Sequence, residues 1–154
     1  MKKGIIFLWW LPAIGWMWAI FHFSSLSQEE VPRTGTLMPD YINHAIAYLF
    51  LAFLIFLALQ RTVRCSFSIA FGAIVGWCLL FGLGNEFNQH YISTNRHFSL
   101  WDLLADGVGA GLLFLFLLAL QKAGSKGKQI YSLLEGIYRG EAFASLKEGK
   151  DDSS

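Results

Sequence analysis

The sequence predicts an all-α integral membrane protein: a four-transmembrane-helix bundle, N-in/C-in, with a short cytoplasmic amphipathic tail. Three observations predict it. Of the 154 residues, 55% are hydrophobic and 15% charged, against ~45–50% and ~25% in an average soluble domain. The charges are also displaced. Four stretches of span length, Ile5–Phe23, Tyr41–Leu59, Phe67–Leu83 and Leu100–Leu120, cover about half the chain and contain only Asp102 and Asp106 among its charged residues. A hydrocarbon core takes ~20 mostly apolar residues per helix. Finally, the basic residues favour alternate loops. These features exclude a soluble domain, a disordered chain and a disulfide scaffold. A net charge of +1 without a large basic face argues against nucleic acid as a partner.

The first span follows Lys2 and Lys3. Its apolar run outlasts the ~7–15 residues of a signal-peptide core, and no small-x-small cleavage site follows Phe23, so an uncleaved anchor is expected. Pro12 and Gly15 could bend it, which membrane helices tolerate when neighbours satisfy the freed carbonyl. Trp9 and Trp10 suit either an interfacial anchor or a lipid-facing surface. The second span leads into the short loop Gln60–Ser66, with Arg61 and Arg64. The last span is followed by Lys122, Lys126 and Lys128, whereas the opposite loops carry only Arg33 and Arg96. The positive-inside rule then puts both termini in the cytoplasm of a cell whose plasma or inner membrane holds the chain. Cys65 falls in the inner loop and Cys78 in the third span, so no disulfide is expected.

Residues 1–120 thus form the membrane domain and 121–154 a tail. In the tail Gly124, Ser125 and Gly127 make a flexible junction. Ile130, Leu133, Leu134, Ile137 and Tyr138 recur at helical spacing. Either a short amphipathic helix, with Lys128 and Arg139 facing headgroups, or a weakly ordered tail fits this pattern. Lys147–Ser154 is expected to be disordered.

Placed on this topology, the polar residues collect at the outer end. Asp40 and His44 open the second span, Glu86 and Gln89 lie just beyond the third, and Asp102 and Asp106 lie in the first turns of the fourth. His22, His90, His97 and Arg96 fall at the same end. Asp40, His44 and Tyr48 step by four and share a stripe, as do Asp102, Asp106 and Gly109. Gly72, Gly76 and Gly82 continue the face of Glu86 and Gln89 if the helix runs on. Glycines on such faces, with Gly107 and Gly111 on the fourth span, let neighbouring backbones approach, within one bundle or between copies of the chain. Charge within a bilayer is costly and usually marks function. An outward-opening polar pocket is therefore expected, lined by Asp40, His44, Tyr48, Glu86, Gln89, Arg96, Asp102 and Asp106 as ligand-binding residues.

The stretch Asp40-Tyr-Ile-Asn-His44-Ala-Ile-Ala-Tyr48 resembles the D-x-x-x-H-x-x-x-Y signature of the VanZ-like family. Asn85-Glu86-Phe-Asn-Gln89, then Arg96, then Ser99-Leu-Trp-Asp102 resembles that family's second block, and Phe23-Ser24-Ser25 its F-S-S. The resemblance covers roughly residues 5–120. Asn85 stands where the family commonly has Asp, Asp106 where it commonly has Asn, and Thr94-Asn95 where it has Pro-Gly. The resemblance implies a multi-pass membrane protein contributing to tolerance of teicoplanin-type glycopeptide antibiotics, but implies no reaction.

The residues leave several roles open. Two carboxylates at i,i+4 repel and would titrate as a unit. Asp102 and Asp106 could therefore form a proton- or cation-holding site, or be neutralised by Arg96 and His44. His44 could be a general base, or an imidazole held by Asp40 or Asp102. Arg96 suits a phosphate or carboxylate, or a salt bridge to Glu86. Ser24, Ser25 and Ser99 read as helix-end caps. His90 and His97 read as solvated loop residues. The best-supported function is binding of a lipid-linked or cell-wall ligand at the outer leaflet. An intramembrane enzyme on such a ligand comes second, lacking a nucleophile motif and the H-E-x-x-H zinc signature. No metal, cofactor or catalytic residue is assigned, although His44, Glu86 and Asp102 could supply metal ligands. A small transporter or accessory subunit comes third, because the paired broken helices of inverted repeats are missing.

Overall fold

A computed structural model of the chain describes residues 7–26, 39–63, 66–92, 98–124 and 129. These residues are helical apart from their ends. Four helices follow one another: α1 (Leu11–Ser25), α2 (Asp40–Thr62), α3 (Phe67–Ile92) and α4 (Leu100–Lys122). Of these, α2, α3 and α4 are long and apolar enough to cross a membrane. The described part of the first expected span is shorter. At ~1.5 Å per residue α1 reaches about 22 Å, below the ~30 Å of a hydrocarbon core. Arg33, Arg64, Cys65, Arg96 and His97 lie outside the described residues, as does the tail's amphipathic pattern.

Pro12 takes a different part from the bend expected of it. Phe7 and Leu8 are helical, Trp9 and Trp10 form a turn, and α1 starts at Leu11. Proline therefore sits in the first turn, where its missing N–H would have had no intrahelical acceptor. The helix breaks before the proline rather than kinking at it.

The largest departure from expectation is the length of α3. The apolar run ends at Leu83, yet the helix continues to Ile92 and carries Glu86 and Gln89 inside it. The buried positions explain why. Ala70, Ile74, Cys78, Gly82, Asn85, Glu86 and Gln89 follow helical spacing along one stripe. The polar segment keeps the register of the apolar one and turns its polar groups inward.

The chain divides into two units, Met1–Leu113 and Phe114–Ser154. In the first, α1, α2 and α3 pack pairwise. Its core includes Ala13, Leu51, Ala52, Ile55, Phe56, Ile74 and Cys78. Trp16 donates its indole N–H to the Ala47 carbonyl (3.0 Å), and its ring meets Phe50 edge-on. At the far end of α2 the Arg61 guanidinium lies 4.4 Å from the centre of the Trp9 ring. Outward faces are strongly apolar, with Trp18, Trp77, Leu80, Trp101 and Leu104 exposed. Water would penalise such a surface, whereas lipid is its natural solvent. Among the described residues of the second unit, Phe114 and Leu117 are buried.

The end of α4 that carries Asp102 and Asp106 is set by close packing. A Cβ at Gly109 would run into the Ala45 backbone of α2, and a Cβ at Gly82 would run into Asp106 Oδ2. Only glycine admits these approaches. Gly72, Gly76 and Gly111 have open space beside them, so the expected glycine faces are only partly used in packing.

Candidate functional site: a buried polar cluster at one end of the helices

Among the described residues, the buried polar ones are Ser24, Asn85, Glu86, Asn88, Gln89, Asp102 and Asp106. They come from the last turn of α1, the last turns of α3 and the first turns of α4. Helix α2 adds His44 and Tyr48 from its own first turns.

His44 and Asp106 form the centre. Their contact is 2.9 Å between Nδ1 and Oδ1, and Asp106 is wholly buried. With the carboxylate as acceptor Nδ1 carries the proton, and in the neutral imidazole Nε2 keeps its lone pair. Of the carboxylates weighed as partners of His44, Asp106 is the one it bonds, as in the reading in which His44 neutralises that residue. Asp40 is exposed at the start of α2, and it is Asp106, on another helix, that holds the imidazole.

Tyr48 lies one turn deeper, its ring parallel to His44 and close to Phe81. Its hydroxyl accepts a 2.9 Å hydrogen bond from Asn85 Nδ2. If the amide is turned over, the hydroxyl donates to Oδ1 instead. Either orientation leaves one polar atom of this buried amide without a partner.

Glu86 is wholly buried. Its Oε2 accepts the Ser99 backbone N–H at 2.8 Å. Ser99 is the N-cap of α4, and its hydroxyl accepts the Asp102 N–H at 3.3 Å. In an ordinary capping box the N3 side chain returns to bond the N-cap N–H. Here Glu86 of α3 does so, and the Asp102 carboxylate is released from that duty. Ser25 plays a different part from a cap: its hydroxyl donates to the Phe21 carbonyl and accepts from Asn88, joining α1 to α3.

Four polar atoms in this cluster are buried without a hydrogen-bond partner among the described residues: Asn85 Oδ1, Glu86 Oε1, Gln89 Nε2 and Asp106 Oδ2. One potential ligand atom from each of His44, Glu86 and Asp102 also lies within 4.8 Å of the others, the arrangement a metal ion would need. Of the residues expected to line a pocket, the structure brings together His44, Tyr48, Glu86, Asp102 and Asp106. Gln89 is buried on the same face of α3, Asp40 is exposed at the start of α2, and Arg96 lies outside the described residues.

Asn85 and Asn88 were not anticipated as site residues. The signal was present in Asn85-Glu86-Phe87-Asn88-Gln89, where Phe87 alone is exposed. It becomes readable only once the segment is known to be helical. Searches against protein-family models, curated proteins and solved structures find no match to this chain.

Proposed function

We propose that the chain is a VanZ-like membrane protein that binds the polar part of a lipid-linked or cell-wall ligand in this cluster. In this reading four helices cross the membrane, both termini are cytoplasmic, and the cluster opens to the outer leaflet. The protein protects the envelope, with glycopeptide tolerance as the phenotype. One observation carries the reading: the unpartnered atoms of Asn85, Glu86, Gln89 and Asp106. A buried polar group left unpaired costs about 1–3 kcal/mol. Four such atoms in one place are explained by a polar guest that completes their hydrogen bonds. Three carboxylates with an imidazole among them also favour a guest rich in hydroxyls, amines or bound cations.

The reading is tested with Glu86→Gln, Asp102→Asn and His44→Ala in cells whose teicoplanin tolerance depends on the protein. Each is expected to abolish tolerance with the protein at normal abundance in the membrane. Full tolerance in all three overturns the reading, and collapse of protein levels would make the cluster a structural tie.

A second reading, an enzyme acting on such a ligand, is favoured by one feature. A buried carboxylate fixes the tautomer of His44, as it would for a general base. Purified protein incubated with envelope lipids, with products followed by mass spectrometry, separates the two. An unchanged lipid pool counts against catalysis.

A further inference from the structure

We infer that His44, Glu86 and Asp102 form a binding site for one first-row divalent metal ion, with Asp106 as the residue that positions His44. The proposal rests on the cluster being a binding site, as above, and adds the ion that occupies it.

The three residues come from three different helices, and one ligand atom of each lies within 4.8 Å of the others. Metal–ligand bonds of ~2.0–2.2 Å put neighbouring donors roughly 3–3.5 Å apart, so rotation of the side chains closes the set. Two of the three donors are already oriented by something else. His44 is held through Nδ1 by Asp106, which leaves Nε2 to ligate. This carboxylate–imidazole pairing is the usual outer support of a metal-bound histidine. Glu86 is held through Oε2 by the Ser99 N–H, which leaves the buried Oε1 with no hydrogen-bond partner among the described residues. Asp102 is freed from capping because Glu86 caps in its place.

The donor chemistry points the same way, because two carboxylates and an imidazole gathered in one place favour a cation over an anion. One imidazole nitrogen with two carboxylate oxygens suits Zn²⁺ or Mn²⁺, whereas Mg²⁺ prefers oxygen ligands and retained water. Three protein ligands leave coordination positions open, through which the ion could hold a phosphate or hydroxyl of the bound ligand.

The test uses full-length protein without a polyhistidine tag, purified in detergent, stripped with chelator and titrated calorimetrically with Zn²⁺, Mn²⁺ and Mg²⁺. About one Zn²⁺ or Mn²⁺ per chain is expected, bound more tightly than Mg²⁺, with a rise in unfolding temperature on binding. Glu86→Gln and His44→Ala are expected to lose the ion. Asp106→Asn, which keeps an acceptor for Nδ1, is expected to weaken it about 10-fold. A stripped wild-type chain that takes up neither Zn²⁺ nor Mn²⁺, or takes them up no better than Glu86→Gln does, overturns the proposal. The two readings fail separately. Loss of tolerance in Glu86→Gln with no ion bound by the wild type removes the metal and keeps the pocket. Ion binding with full tolerance in that variant removes the envelope function and keeps the metal.

Discussion

The two halves of α3 bury the same stripe with opposite chemistry. Ala70, Ile74 and Cys78 fill the first half, and Asn85, Glu86 and Gln89 the second. In the apolar half, fit is a matter of shape, and lipid would accept the same side chains almost as well. In the polar half, every atom needs a partner, and a missing one costs about 1–3 kcal/mol. A bundle could be held together by the first kind of contact throughout. That one end uses the second kind, and leaves some of it unpaired among the described residues, is what the proposed guest would account for.

The sharpest way to break this contrast is at Gly109. Its Cβ would meet the Ala45 backbone, which cannot swing aside as a side chain can. Gly109→Ala is expected to destabilise the protein by about 3 kcal/mol, the upper end for overpacking, measured by thermal unfolding in detergent. A loss below about 0.5 kcal/mol would mean that α2 and α4 are not in backbone contact. Tyr48→Phe is a milder probe, confined to the polar half. It removes the hydroxyl that pairs with Asn85 and is expected to cost about 1 kcal/mol, as buried hydrogen bonds between membrane helices do. An unchanged unfolding temperature would show that Asn85 finds another partner. The smallest effect belongs to Leu80, on the exposed apolar side of α3. Leu80→Ala is expected to stay within about 0.5 kcal/mol, and a larger loss would place that face against protein instead of lipid.

Much of this arrangement was legible in the residue order. The apolar runs gave α2 and α4 to within a few positions, because about twenty apolar residues with at most two charges have few other fates. Steps of four put His44 above Tyr48 and Asp102 before Asp106 on single stripes, since helix geometry is local. Non-local relations were not legible. Asp106 holds His44 across 62 residues of sequence, and nothing in the spacing prefers it to Asp40, four residues away. The end of α3 was left open because the apolar run stops at Leu83, and burial of Asn85, Glu86 and Gln89 on the same stripe carries the helix on to Ile92. Pro12 was misjudged because the break before it, at Trp9–Trp10, has no strong signal of its own.

Ser99 carries one further consequence. Its hydroxyl closes the first turn of α4, and its N–H secures Glu86 on α3. Helix termini fray, and a terminus that opens gives up its capping bonds together. Unwinding that turn would therefore free the Glu86 carboxylate and displace the Asp102 backbone in one event. Order at the end of one helix and order in the cluster are thermodynamically linked, so a guest that gathers these side chains also winds the helix tighter.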